Sequence, residues 1–303
     1  MVLKRITACL FGVVGIFFAC VGDGSSQGPE WNPVSAGPIT TWTAMLCGRD
    51  TLLVQPILVY SRGRGNFNAN GRYESFPDGD KAVHYQEQVF LQYGVTDRLE
   101  LSGQMIYQQN DITVSGERAR PSGFTDSYLY LRYALFGETH CRPQVTGVIQ
   151  LKAPTGKYQH ADPAEGGADL MGTGSWDPGL GLILSHKVRP FLLHADASYS
   201  QPHRVRVDGV LTRYADYVNY DVGLEYFLPK GLNVMLELNG LEQGDVREDG
   251  RRVEGTALRS VSMGPGLGWS NEDLQTLLSY QRTVAGKNVE ASEGLYFTCL
   301  YTF

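Results

Sequence analysis

From residue 51 onward the chain alternates between apolar and polar positions. In "LELSGQMIY" the set Leu99, Leu101, Gly103, Met105 and Tyr107 is apolar or small, against Glu100, Ser102 and Gln104. "LNVMLELNG" sets Leu232, Val234, Leu236 and Leu238 against Asn233, Glu237 and Asn239, and "VNYDVGLEY" repeats the pattern. Successive side chains of a strand point to opposite faces, so period two predicts strands. Such stretches, divided by turn residues, fall at 51–62, 81–94, 97–109, 124–136, 142–153, 176–187, 190–201, 216–228, 231–243, 257–270, 274–285 and 293–303. That is twelve. A soluble antiparallel sandwich with one wet face gives the same alternation, so alternation alone does not decide the fold.

The joints decide it. Those after the second, fourth, sixth, eighth and tenth segments are tight ("VTD", "GETHC", "VR", "PK", "NED"). Those after the odd-numbered segments are longer and polar, as in "GRGNFNANGRYESFPDGD", with the eleventh, "GKNVEAS", intermediate. Short and long joints in strict alternation, with an even strand count, mark an outer-membrane barrel: short turns and both termini at the periplasm, long loops outside. The fold class read from the sequence is therefore all-β, a transmembrane antiparallel up-and-down barrel of about twelve strands.

Both ends of the chain agree with this. "MVLKRITACLFGVVGIFFACVGDGSSQ" runs from Lys4 and Arg5 through an apolar stretch to small polar residues, which reads as a cleaved signal peptide over 1–22. A lipid anchor on Cys20 is the rival reading. Residues 23–50, rich in Gly, Pro and Ser, read as an extended periplasmic lead-in, and 51–303 as the barrel. The last strand ends on Phe303, with Tyr301 and Phe297 in the same register. A closing strand pairs with the first and leaves no edge. Aromatics at its tip suit the membrane interface, and a terminal Phe with alternate apolar residues resembles the signal read by the outer-membrane assembly machinery.

Composition narrows the function. A net charge of −6 argues against nucleic acid. Cys47, Cys141 and Cys299 are an odd trio once the leader is gone, so no disulfide framework is expected.

Several motifs carry a resemblance. "GFTDSYLYLRYALF" (123–136), "LKAPTGKYQ" (151–159), "GTGSWDPGLGLILS" (172–185) and "GPGLGWSNEDLQTLLSYQRTVAGKN" (264–288) follow in order. Together they resemble the outer-membrane transporters called the meta-pathway of phenol degradation family, over most of residues 85–303. The resemblance implies a porin-like barrel, often encoded for aromatic or other small hydrophobic compounds.

The inward register holds Glu100, Asp126, Arg132, Lys152, Asp177, Asp196, Asp221, Glu225 and Glu237. Ionised groups in a narrow lumen must be paired or wet. One reading is a network of ion pairs and hydrogen bonds centred on Asp126 and Arg132; the other is a selectivity ring. Catalysis finds little footing. There is no Gly-x-Ser-x-Gly elbow, and His194 and His84 point inward rather than to lipid. His160, Asp162, Glu165 and Asp169 in an outer loop read as a solvated acidic stretch, with a calcium site as the alternative. No cofactor is expected. The function expected is an outer-membrane channel for small hydrophobic or aromatic solutes, its partners being lipid, the assembly machinery and that solute. A structural or adhesive barrel with a plugged lumen is the second reading, an outer-membrane hydrolase the third. Loops 63–80 and 155–175 are expected to gate the outer mouth.

Overall fold

The computed structural model describes residues 31, 33, 35–139 and 142–303. The signal peptide, Cys20 and Cys141 lie outside the described residues. Among the described residues twelve long strands form the barrel: β1 Leu52–Phe67, β2 Lys81–Thr96, β3 Leu99–Val114, β4 Ser127–Phe136, β5 Gln144–Ala153, β6 Asp177–Val188, β7 Phe191–Ser200, β8 Tyr217–Phe227, β9 Leu232–Gln243, β10 Leu258–Ser270, β11 Leu274–Lys287 and β12 Val289–Thr302. Each pairs antiparallel with the next, and β12 pairs with β1 to close the ring. The terminal residue belongs to that closure, because Phe303 N–H donates to Leu52 O (2.9 Å). Its ring packs edge-on against Tyr301 at 4.6 Å.

The wall is apolar outside and polar inside. Leu58, Leu101, Met105, Leu129, Ile149, Leu180, Leu236, Leu267 and Leu295 are exposed, while Glu100, His194 and Glu225 are wholly buried. A soluble protein does not carry so continuous an apolar surface. A barrel wall facing hydrocarbon requires it, since every backbone group is satisfied between strands and only side chains meet lipid. The molecule is an outer-membrane β-barrel.

Loop parity holds. The ladder between β11 and β12 ends at Arg282 opposite Glu293, and beyond it the chain turns back through Asn288, in the left-handed region (φ 51°) that Asn tolerates. Elsewhere the outer segments carry their own structure. Tyr73–Ser75 folds back on β1. Loops 201–216 and 244–257 join in a four-stranded sheet, with Thr212 opposite Glu248.

Candidate functional site

The lead-in enters the barrel. Residues 35–47 run along the lumen, which corrects the expectation of an extended periplasmic segment for this stretch. Six of its backbone N–H groups donate to inward side chains: Ala36 to Gln275 (2.8 Å), Thr40 and Thr41 to Glu237 (2.8 and 3.1 Å), Trp42 to Asp196 (3.0 Å), Ala44 to Ser185 (2.8 Å) and Cys47 to Glu100 (3.1 Å). The Ser35 hydroxyl donates to Glu225 (2.7 Å). Gln144 and Thr146 donate to the carbonyl of Ala44, and Arg132 to that of Thr43. A segment without regular structure can be buried only if its backbone is satisfied in this way. Room for it is made by glycine: a Cβ on Gly223 would stand 2.9 Å from Pro38, and one on Gly94 would overlap the Gly48 carbonyl.

Five of the nine sequence-predicted lumen residues form two ion-paired groups. At the lower one Arg132 pairs with Glu100 (2.7 Å), reaches Gln92 (3.3 Å), and lies over the Trp42 ring at 5.0 Å. Glu100 also accepts from Ser102 (2.9 Å). At the outer one Lys152 sits between Asp177 (2.7 Å) and Asp126 (3.3 Å). Asp126 accepts from the backbone N–H groups of Gly156 (3.2 Å) and Thr173 (2.9 Å), which draws loop 154–176 over the mouth. The network expected to centre on Asp126 and Arg132 is therefore two networks. The reason is geometric. The two residues lie six apart along nearly extended chain, roughly 20 Å at about 3.3 Å per residue.

Asp196 and Asp221 face each other in register across β7 and β8. Asp221 accepts from Asn239 (2.8 Å). Neither forms an ion pair with a basic side chain among the described residues. Among the described residues, the seven carboxylates expected in the lumen (Glu100, Asp126, Asp177, Asp196, Asp221, Glu225 and Glu237) thus stand with the two expected cations, Arg132 and Lys152.

Between the tail and the outer loops lies a cavity of about 510 Å³. Trp42, Tyr128, Tyr130, Tyr214 and Tyr217 give it aromatic walls, and Lys152, Asp177, Asp196 and Asp221 its polar points. Thr173, Tyr214, Val246 and Thr256 bring loops 154–176, 201–216 and 244–257 to its border. Loop 155–175 of the expected pair therefore reaches the mouth. Of the other, residues 63–67 continue β1, and Tyr73–Ser75 pairs beside them.

One arrangement was not foreseen. Ser185 Oγ lies 2.9 Å from His194 Nδ1, and His194 Nε2 lies 2.9 Å from Glu225 Oε1. This is the order of a hydrolytic triad. Ser185, however, is almost wholly buried and already accepts the Ala44 N–H. Here it holds the tail. The outer-loop acids are likewise engaged: Asp169 with Lys157, Asp162 with the N–H of Ala164 (2.9 Å), and His160 with Asp208 (3.3 Å). No group of three metal-ligating side chains occurs among the described residues. The tail residues Thr40, Thr41, Trp42 and Thr43 were missed as site residues. The signal available was "TTWT", hydroxyls around one large aromatic in an otherwise Gly/Pro-rich stretch.

Comparison with known proteins gives the same architecture. An outer membrane channel from Pseudomonas putida F1 is 15% identical, over 92% of this chain and 100% of that one, with a TM-score of 0.70. The β domain of the Bordetella autotransporter BrkA is 13% identical over 84% of this chain and 100% of its own, with a TM-score of 0.50. At these identities the likeness is one of fold. No curated protein matches the sequence. The family model described as "Putative MetA-pathway of phenol degradation" matches residues 58–299, and the chain belongs to that family.

Proposed function

We propose that the protein is an outer-membrane channel for small solutes of aromatic or apolar character, closed at rest by its own residues 35–47. The aromatic-walled cavity above the tail carries this reading. At about 510 Å³ it lies within the usual span of ligand pockets, roughly 300–1,000 Å³, and it has their composition of apolar walls with a few polar points. A one-ring compound with a polar substituent fits both its size and its walls. Family membership supports the same solute class. The buried Ser185 beneath Ala44 speaks against a hydrolase.

A plugged structural barrel is the second reading, favoured by the tail in the lumen. Liposome swelling separates the two. Wild-type protein and a variant lacking residues 35–46 are reconstituted and given small sugars, amino acids and benzoates. Permeation of benzoates above sugars of equal mass, increased by the deletion, is the expected result. Vesicles that stay tight to every solute with either protein would sink the channel reading.

A further inference from the structure

The outer face of the wall carries charge where the strands leave the hydrocarbon. One register row crosses five neighbouring strands from β3 through β2, β1 and β12 to β11: Asp111, Val83, Arg62, Glu293 and Arg282. The adjacent row on the membrane side is Gln109, Tyr85, Tyr60, Leu295 and Tyr280. Three tyrosines in that row are the mark of the membrane interface. Beyond them, basic side chains gather around two carboxylates, Glu293 and Asp111. Arg62 donates to Glu293 through Nε (2.9 Å) and Nη2 (2.5 Å), leaving Nη1 free. Arg64 stands 3.4 Å from the same carboxylate, and Arg282 lies across from it in register with no ion pair among the described residues. Asp111, three strands from Glu293 along the same row, is ringed by Lys81 (2.9 Å), Arg118 (2.5 Å) and Arg120 (3.6 Å).

Three cations stand around Asp111, and two around Glu293 with Arg282 across from it in register, which leaves a positive excess at each site. The next row toward the membrane is Tyr107, Glu87, Leu58, Phe297 and Leu278, apolar on β1, β12 and β11 and acidic only at Glu87 on β2. Arginine forks match the oxygens of phosphate in a bidentate manner. An anion that sits one row above hydrocarbon and persists there is one that carries acyl chains. We infer that this row binds the phosphate of an acylated outer-leaflet lipid, with the chains lying along the wall below the tyrosines. The glutamate sets the plane of the Arg62 guanidinium, while Arg64 also reaches the Thr283 carbonyl.

The test titrates the purified full-length barrel in neutral detergent with fluorescent bisphosphoryl lipid A, its dephosphorylated form, and inorganic phosphate. Each basic residue near an anionic lipid surface is worth roughly fivefold in affinity, so R62Q/R282Q should weaken bisphosphoryl lipid A binding about thirtyfold. E293Q should tighten it. Excess inorganic phosphate should leave the lipid bound, and heat-modifiable migration of each variant shows that the barrel is closed. Equal affinity for the phosphorylated and dephosphorylated lipids, or an unchanged R62Q/R282Q, would overturn the inference. So would displacement by inorganic phosphate, which would make the row a free-anion site.

Discussion

Arg132→Ala should open the pore before it unfolds the barrel. The side chain is buried, as is its partner Glu100, which would keep only the Ser102 hydroxyl and the Cys47 N–H. Removing one member of a buried pair costs about 3–5 kcal/mol in soluble cores. The ring of Trp42 also loses its cation, worth about 0.5–2 kcal/mol. The barrel has a way to avoid most of this cost: the tail can leave, letting water reach Glu100. Each tail hydrogen bond contributes about 1 kcal/mol net, and each ordered backbone residue costs about 1–2 kcal/mol. Docking is therefore a small difference between large terms, and a loss of 3–5 kcal/mol is enough to reverse it. Single-channel recording should show a larger, longer-lived open state in Arg132→Ala, with the heat-dissociation temperature nearly that of wild type. Arg132→Met with Glu100→Gln removes both charges and should close the pore again. Wild-type conductance in the single variant, or a double variant as open as the single, would refute the coupling between this pair and the tail.

Other outcomes follow from the same coordinates. Deleting Phe303, which removes the Phe303–Leu52 backbone bond, or replacing it with Asp, which removes the ring against Tyr301, should lower membrane levels more than a mid-wall change such as Leu236→Ala, because both remove the proposed assembly signal; immunoblotting of outer-membrane fractions decides it. The open pore should select cations, and Asp196→Asn with Asp221→Asn should move the reversal potential in a salt gradient toward zero; anion selectivity in the wild type would show that the lumen carboxylates do not face the ion path. At the outer loop the Lys157 ammonium holds the Asp169 carboxyl below the usual carboxylate range. Its stabilisation is present above the ordinary carboxylate pKa and lost as pH falls through the lowered one. A spin label at residue 164 should stay immobile from pH 8 to about 5 and loosen only in stronger acid, while Lys157→Ala should loosen it at neutral pH.

The strands were legible because lipid on one side and a polar lumen on the other impose the alternation on every one of them. The inward residues were legible for the same reason, down to Glu100 and Glu237. Their partners were not. Which inward side chains meet depends on strand tilt and stagger, as the pairing of Arg132 with Glu100 in place of Asp126 shows. Nor was the tail's position legible, since a segment that borrows its hydrogen bonds from the wall has no periodicity of its own.

The barrel grips its tail chiefly by the main chain, with the hydroxyls of Ser35, Thr40 and Thr41 as additional hooks. Carboxylate, amide and hydroxyl oxygens of the wall meet the N–H groups of Ala36, Thr40, Thr41, Trp42, Ala44 and Cys47, and wall donors meet the carbonyls of Thr43 and Ala44. A lock that reads backbone is indifferent to most of the key's lettering. Tail sequences can drift while the wall that receives them is constrained, and Trp42 is the one large side chain tied to the cavity and to Arg132. An untethered peptide keeping that Trp and the small residues about it should close the tail-deleted pore from solution, at a concentration set by the lost covalent link.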